Sequence, residues 1–241
     1  RGEDAGVRGL WRVARLIRQL PHPRPRGWHP RDRVAYLAQG SVRSAALAMS
    51  AGIRDRVGFD TSAGRALYSR RVLYDDTVHH AQRLLTLGVR PGDPPLTLDD
   101  LRPRLYPSIT EVAAVDALLA EAKYERGSRL VVLAPGSVWA TKRWPYYAEL
   151  ARLLTARGVR LAVVGGKDDH DLAREIAAAV RAGRGAAPVD ATGRLSLLAS
   201  AELIGRAASI VTNDSAPQHL ASAMGTPTIT VFGPTVPEFG F

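Results

Sequence analysis

Leu130-Val-Val-Leu-Ala-Pro-Gly-Ser-Val-Trp-Ala-Thr-Lys-Arg-Trp-Pro145 opens on five apolar residues, turns at Pro135-Gly136 and ends on a proline. A helix accepts proline in its first turn. Beyond it Tyr147, Leu150, Ala151 and Leu154 recur at helical spacing, and Gly158 stops the pattern. The stretch therefore reads as strand, loop, helix. A short, uninterrupted apolar strand is buried on both faces, which is the signature of a parallel sheet covered by helices. The rest of the C-terminal half repeats this rhythm. Strands are predicted at Val159–Gly165, Val189–Thr192, Ser209–Thr212 and Thr228–Phe232. Helices are predicted at Asp168–Arg181, Leu197–Ala208 and Ser215–Met224, the last closed by Gly225.

The N-terminal half is less regular. A basic amphipathic helix is predicted over Gly9–Leu20, then a Pro-rich loop over Pro21–Pro30. Strands at Val34–Leu37 and Val57–Phe59 alternate with helices at Ser41–Ser50 and Val78–Leu87. Residues 90–107, rich in Pro and Asp, read as an interdomain linker. The expected division is thus 1–107 and 108–241, and the fold class is α/β.

Composition narrows the function. The 241 residues are 46% hydrophobic and 23% charged, as in ordinary globular domains. Cysteine is absent, so disulfides and thiolate metal sites are excluded and a cytoplasmic location is permitted. The formal net charge of +10 is carried by residues 1–71, with fifteen Arg against five acids. Such a lobe favours anionic partners such as a phosphorylated lipid, a membrane surface or nucleic acid. Compositional drift is the competing explanation: the chain has three lysines, Lys123, Lys142 and Lys167, and arginine everywhere else. Drift accounts for Arg over Lys, but not for the clustering.

Three strand-end loops carry chemistry. In the first, Gly136 permits a close turn, Ser137 and Thr141 offer hydroxyls, and Lys142 offers a cation to phosphate oxygens. A plain surface loop with Trp139 and Trp144 as packing anchors is the bland alternative. In the second, Thr212-Asn-Asp-Ser-Ala-Pro-Gln-His219, Asp214 is a natural N-cap. The N–H groups of Ser215 and Ala216 then face an anion, and His219 is one turn on from Ser215. Two such loops at neighbouring strand ends point to a diphosphate. In the third, Gly165-Gly-Lys-Asp-Asp169, a carboxylate can accept from ribose hydroxyls. Asp169-His-Asp171 also spells a metal-binding D-x-D, but acids at a helix start are explained by the helix dipole, and no metal is expected. G-x-G-x-x-G, the P-loop and G-x-S-x-G are all absent, which disfavours dinucleotides, P-loop chemistry and serine hydrolysis.

Taken together, Pro135-Gly-Ser-Val-Trp-Ala-Thr-Lys-Arg-Trp-Pro145, Val163-Val-Gly-Gly166, Thr212-Asn-Asp-Ser-Ala-Pro-Gln-His-Leu-Ala221 and Val231-Phe-Gly-Pro-Thr235 resemble the lipopolysaccharide heptosyltransferases, glycosyltransferase family nine. Gln39-Gly-Ser-Val-Arg-Ser44, Arg56-Val-Gly-Phe-Asp60 and His79-x-x-x-Arg83 extend the likeness upstream. The Lys-Arg-Trp-Pro form most resembles the heptosyltransferase II branch. The resemblance implies a GT-B fold of two Rossmann-like domains with the active site between them. It implies an ADP-heptose donor, an inner-core lipid A acceptor bearing Kdo and heptose, inversion at the anomeric centre, and no cofactor besides the donor. Matched by position, Ser137, Thr141, Lys142, Asp214, Ser215, Ala216 and His219 fall in the donor site, and Leu195 lies against the adenine. Asp169 stands where the family usually has the longer Glu. Arg43 and Arg65 are candidates for the acceptor's anions. The family opens with a strand and a Gly-Asp loop that supplies the proposed base, whereas Gly92-Asp93 lies in the linker. The implied reading is a chain truncated at both ends, its first domain incomplete and its base upstream of Arg1. Partners would be the donor, the lipid A core and the anionic inner face of the membrane, without nucleic acid. Two other classes stay open: a nucleotide-sugar enzyme using UDP, and a non-enzymatic basic protein binding RNA or a membrane surface.

Overall fold

The computed structural model describes residues 7–19, 33–90, 92–125 and 127–233. The chain forms two compact units that divide between Leu101 and Arg102.

The first unit contains α1 (Val7–Gln19), β1 (Val34–Leu37), α2 (Val42–Ser50), β2 (Asp55–Phe59), β3 (Arg70–Val72), α3 (His80–Thr86) and a short α4 (Leu98–Leu101). Its three strands are parallel in the order β1-β2-β3, with Tyr36 opposite Val57 and Val57 opposite Arg70. Leu37, Ala45, Ala48 and Tyr68 form one small core, and Val57, Phe59 and Leu87 another. Arginine braces this unit from inside. Arg56 Nε donates to Leu67 O at 2.6 Å, and its Nη1 donates to the carbonyls of Ile53 at 2.6 Å and Arg54 at 2.8 Å. Arg70 likewise donates to Val89 O at 2.8 Å and Leu87 O at 2.7 Å. Such charge-assisted bonds close loops whose carbonyls would otherwise lack partners. The Pro-rich loop expected at 21–30 lies outside the described residues.

The second unit contains α5 (Ile109–Glu121), β4 (Leu130–Ala134), α6 (Tyr147–Thr155), β5 (Arg160–Val163), α7 (His170–Ala182), β6 (Val189–Asp190), α8 (Leu197–Gly205), β7 (Ser209–Asn213), α9 (Ala216–Met224) and β8 (Thr228–Val231). Its sheet is parallel throughout, in the order β6-β5-β4-β7-β8. Every residue of β4 is buried. Leu130, Val132 and Ala134 face α5, α8 and α9, while Val131 and Leu133 face α6 and α7. The unbroken apolar run is thus required by two covered faces. Gly225 closes α9 with φ +72°, a conformation that costs a side chain about 1–2 kcal/mol.

Three elements depart from the sequence reading. Helix α5 was not expected, although Ser108-x-x-Glu111 is a capping box: Glu111 Oε2 accepts from Ser108 N at 2.8 Å. Strand β3 carries two arginines in three residues and gives no apolar signal. The stretch 90–107 holds α4, and the units part six residues before the expected boundary at 107.

Candidate functional site

β4 and β7 lie side by side at the centre of the second sheet, and the connections leave them in opposite directions. In open α/β sheets a ligand crevice forms at that switch point, beyond the carboxyl ends of the strands. The two loops that meet there are cross-braced by Asn213, which is fully buried. Its Nδ2 donates to Pro135 O at 2.8 Å and to Gly136 O at 3.4 Å. Its Oδ1 accepts from Trp144 N at 3.0 Å and Tyr147 Oη at 3.3 Å. Every polar atom of the amide is used, which is what burial demands. Burial also raises the Tyr147 phenol well above its ordinary range, so it stays protonated and donating. Next to this brace, Lys142 Nζ donates to Asp214 Oδ2 at 2.5 Å. The Asp214 side chain is 4% exposed and that of Lys142 is 23% exposed. The pair is mutually neutralising, and losing one member would strand the other with little water.

A cavity of about 570 Å³ opens beside these loops. Val164, Leu195, Leu197, Ile204 and Leu220 line it on the apolar side, and Ser137, Arg143, Asp168, Asp169 and Ser215 on the polar side. Arg143, which lines the cavity, is anchored by its Nε, which donates to Ser137 O at 2.9 Å. Asp169 lies where two glycine turns, at Gly136 and at Gly165-Gly166, converge. Gly166 N donates to its Oδ2 at 2.8 Å, and a methyl group at Gly165 would stand 2.5 Å from that same oxygen. A methyl group at Gly136 would collide with the carboxylate outright. Ser215 is the N-cap of α9, and the first N–H groups of a helix have no intrahelical partner. The arrangement can hold a ligand with a flat apolar end, a hydroxyl-bearing middle and an anionic end.

The structure sorts the sequence-derived residues. Ser137, Asp169, Leu195, Ser215 and Ala216 line the cavity together. Lys142 and Asp214 pair with each other and are not among its lining residues. Asp214 is not the N-cap: the helix begins one residue later, and the carboxylate is committed to Lys142. Thr141 is exposed on the single turn Ala140–Lys142, and His219 is exposed outside the lining. The D-x-D acids serve other ends, Asp169 capping Gly166 N and Asp171 pairing with Arg174. Of the two tryptophans, Trp144 packs edge-on against Tyr147 at 5.3 Å, while Trp139 is 68% exposed. Asn213, Arg143 and Asp168 were not singled out, although all three stood inside the quoted motifs; a polar residue ending an apolar strand was the signal for Asn213.

In the first unit a cavity of about 560 Å³ lies at the ends of β1 and β2, lined among others by Gln39, Ser41, Tyr74, His80 and Arg83. Arg83 stacks on Tyr74 at 4.5 Å and donates to Asp75 O at 3.2 Å. Arg43 and Arg65 do not line it, and Arg65 instead donates to Ser62 O at 3.4 Å. Asp60 accepts from Tyr74 N at 3.0 Å. Among the described residues no group of three or more His, Cys, Asp or Glu is placed to hold a metal ion.

A doubly wound parallel unit with an amphipathic cavity at its switch point defines a Rossmann-like unit of an α/β protein, and the solved heptosyltransferase structures it superposes on are of the GT-B type. Residues 31–240 match the model of glycosyltransferase family 9 (heptosyltransferase), and the chain belongs to that family. It is 30% identical over 212 residues to lipopolysaccharide heptosyltransferase 2 of Salmonella typhimurium, a match covering 85% of this chain and 61% of the relative. With lipopolysaccharide heptosyltransferase 1 of Pseudomonas aeruginosa it shares 31% over 212 residues, covering 84% and 54%. The chain therefore spans about three fifths of the length of the curated relatives it matches. The solved structure of Escherichia coli ADP-heptose lps heptosyltransferase II superposes with a TM-score of 0.73 at 27% identity, covering 96% of this chain and 69% of that one.

Proposed function

We propose that the second unit binds the ADP part of ADP-L-glycero-D-manno-heptose, and that the protein transfers heptose, with inversion, to the inner core of lipopolysaccharide. The observation that carries this reading is the cavity at the switch point. Its apolar wall around Leu195 suits an adenine, Asp168 and Asp169 suit ribose hydroxyls, and Arg143 with the start of α9 suits a diphosphate. The family membership and the names of the relatives supply the sugar and the acceptor. Relatives of both the first and the second heptosyltransferase type match, so the proposal covers the inner core and not one heptose position. No cofactor beyond the donor is required. A lipid A core as acceptor suits a peripheral position at the cytoplasmic face of an anionic membrane. Among the described residues no helix is long and apolar enough to cross a membrane.

Lys142 pairs with Asp214, whereas Arg143 lines the cavity, which supports Arg143 as the cation for the diphosphate. Charge-assisted bonds contribute about 1.5–3 kcal/mol, so Arg143→Ala should weaken ADP about tenfold or more while leaving adenosine unchanged. Lys142→Ala should weaken ADP and also lower thermal stability, because Asp214 loses its partner. Calorimetry with ADP, UDP and adenosine reads both. Unchanged ADP affinity in both variants would remove the diphosphate from this site, and equal or tighter binding of UDP would transfer the reading to a UDP-sugar enzyme.

A further inference from the structure

Helix α1, Val-Arg-Gly-Leu-Trp-Arg-Val-Ala-Arg-Leu-Ile-Arg-Gln over Val7–Gln19, contains four arginines and no acid. Its inner face is satisfied by the protein: Ala14 is buried, Leu10, Val13 and Ile17 are half-buried, and the helix packs on α2. Its outer face is the unusual one. Trp11 is 57% exposed and Leu16 55% exposed, set among the exposed Arg12, Arg15 and Arg18. Trp11, Arg15 and Arg18 fall at i, i+4 and i+7, and Arg12 and Leu16 form the adjoining row, so the five share one surface. Part of the basic charge of this unit is used internally, by Arg56 and Arg70 and by Arg18 of α1, whose Nη2 donates to Ser50 O, whereas Arg15 is exposed and outside those braces.

A large aromatic and a leucine exposed to water beside Arg15, on a helix that carries no acid, match a surface that is anionic at its rim and apolar beneath. A phospholipid interface has that layering, with Trp favoured at headgroup depth and Arg favoured at acidic headgroups. We propose that the outer face of α1 is the membrane-docking surface of this protein, with Trp11 and Leu16 entering the interface and Arg15 meeting anionic headgroups. The inference deepens the peripheral placement proposed above and is independent of the donor site.

Vesicle co-sedimentation of the whole chain tests it. Binding is expected to vesicles containing about 30% phosphatidylglycerol and not to pure phosphatidylcholine, and it should fall as salt rises from ~0.05 to ~0.5 M. Trp11→Ser and Arg15→Glu should each weaken it about tenfold with the melting temperature unchanged, since both side chains point outward. Lipids brominated near the glycerol should quench the wild-type fluorescence, and Trp11→Phe should lose that quenching. ADP titration of the same variants should be unaffected, which separates failure of this surface from failure of the donor site. Equal binding to both vesicle types, or full binding by both variants, would overturn the proposal. So would a dimer dissolved by Trp11→Ser, which would make a second copy the occupant. An oligonucleotide that binds tightly and loses affinity in the same two variants would assign the face to nucleic acid instead.

Discussion

In the second unit a neutral amide, Asn213, ties the β4 loop to the end of β7 from a position with no solvent exposure. In the first unit the equivalent task falls to guanidinium groups, Arg56 gathering the carbonyls of Ile53, Arg54 and Leu67 while half-exposed. Depth explains the choice. A charge at the position of Asn213 would need a buried counter-ion, whereas Arg56 keeps contact with water and gains stronger bonds for it. The contrast also revises the meaning of the N-terminal charge. Fifteen arginines in 71 residues suggested a lobe aimed at anions, yet some of those arginines hold the unit together.

If depth is the right variable, removing Asn213 should be the more costly change. Asn213→Ala leaves Trp144 N, Tyr147 Oη and Pro135 O without this partner, at about 1–3 kcal/mol for each buried group left unpaired. A loss of about 3 kcal/mol or more is expected in urea unfolding, together with loss of ADP binding. Arg56→Ala should cost less, about 2 kcal/mol, because water can reach the freed carbonyls. Arg56→Lys should recover about half of that, since the charge survives and the fork does not. A larger effect at Arg56 than at Asn213 would break the depth argument.

The smallest effects should come from the helix ends, where the units are alike. Gly52 and Gly225 follow α2 and α9 with φ of +77° and +72°. Each Gly→Ala change should cost about 1 kcal/mol through backbone strain. Nothing lies within 4 Å of a methyl group at Gly52, whereas one at Gly225 would meet Arg102 Nη2 at 2.7 Å. The Gly225 change should therefore be the slightly worse of the two in thermal melts.

The same contrast governs what the sequence could reveal. In the second unit Leu130–Ala134 and Ser209–Asn213 are nearly all buried, so hydrophobicity alone marks them, and the strand-end loops follow directly. In the first unit Asp55-Arg-Val-Gly-Phe59 and Arg70-Arg-Val72 mix charge into strands, and β3 had no apolar pattern to find. Ser137, Asp169, Leu195, Ser215 and Ala216 line one cavity because they fall in the loops that follow strands or at a helix start. The partner of Lys142 was not legible, because Asp214 lies 72 residues away and looked like a cap. Arg143 was hidden for another reason: nothing in a Lys-Arg pair says which cation lines the cavity and which meets a buried acid.

The central claim is that a nucleoside diphosphate occupies the switch-point cavity of the second unit. Amide hydrogen exchange of the whole chain with and without saturating ADP tests it most directly. The account predicts slower exchange at the backbone of residues 136–143, 165–169 and 214–218, with residues 34–89 unchanged. Protection confined to the first unit, or none in the second under conditions where ADP binds, would contradict it.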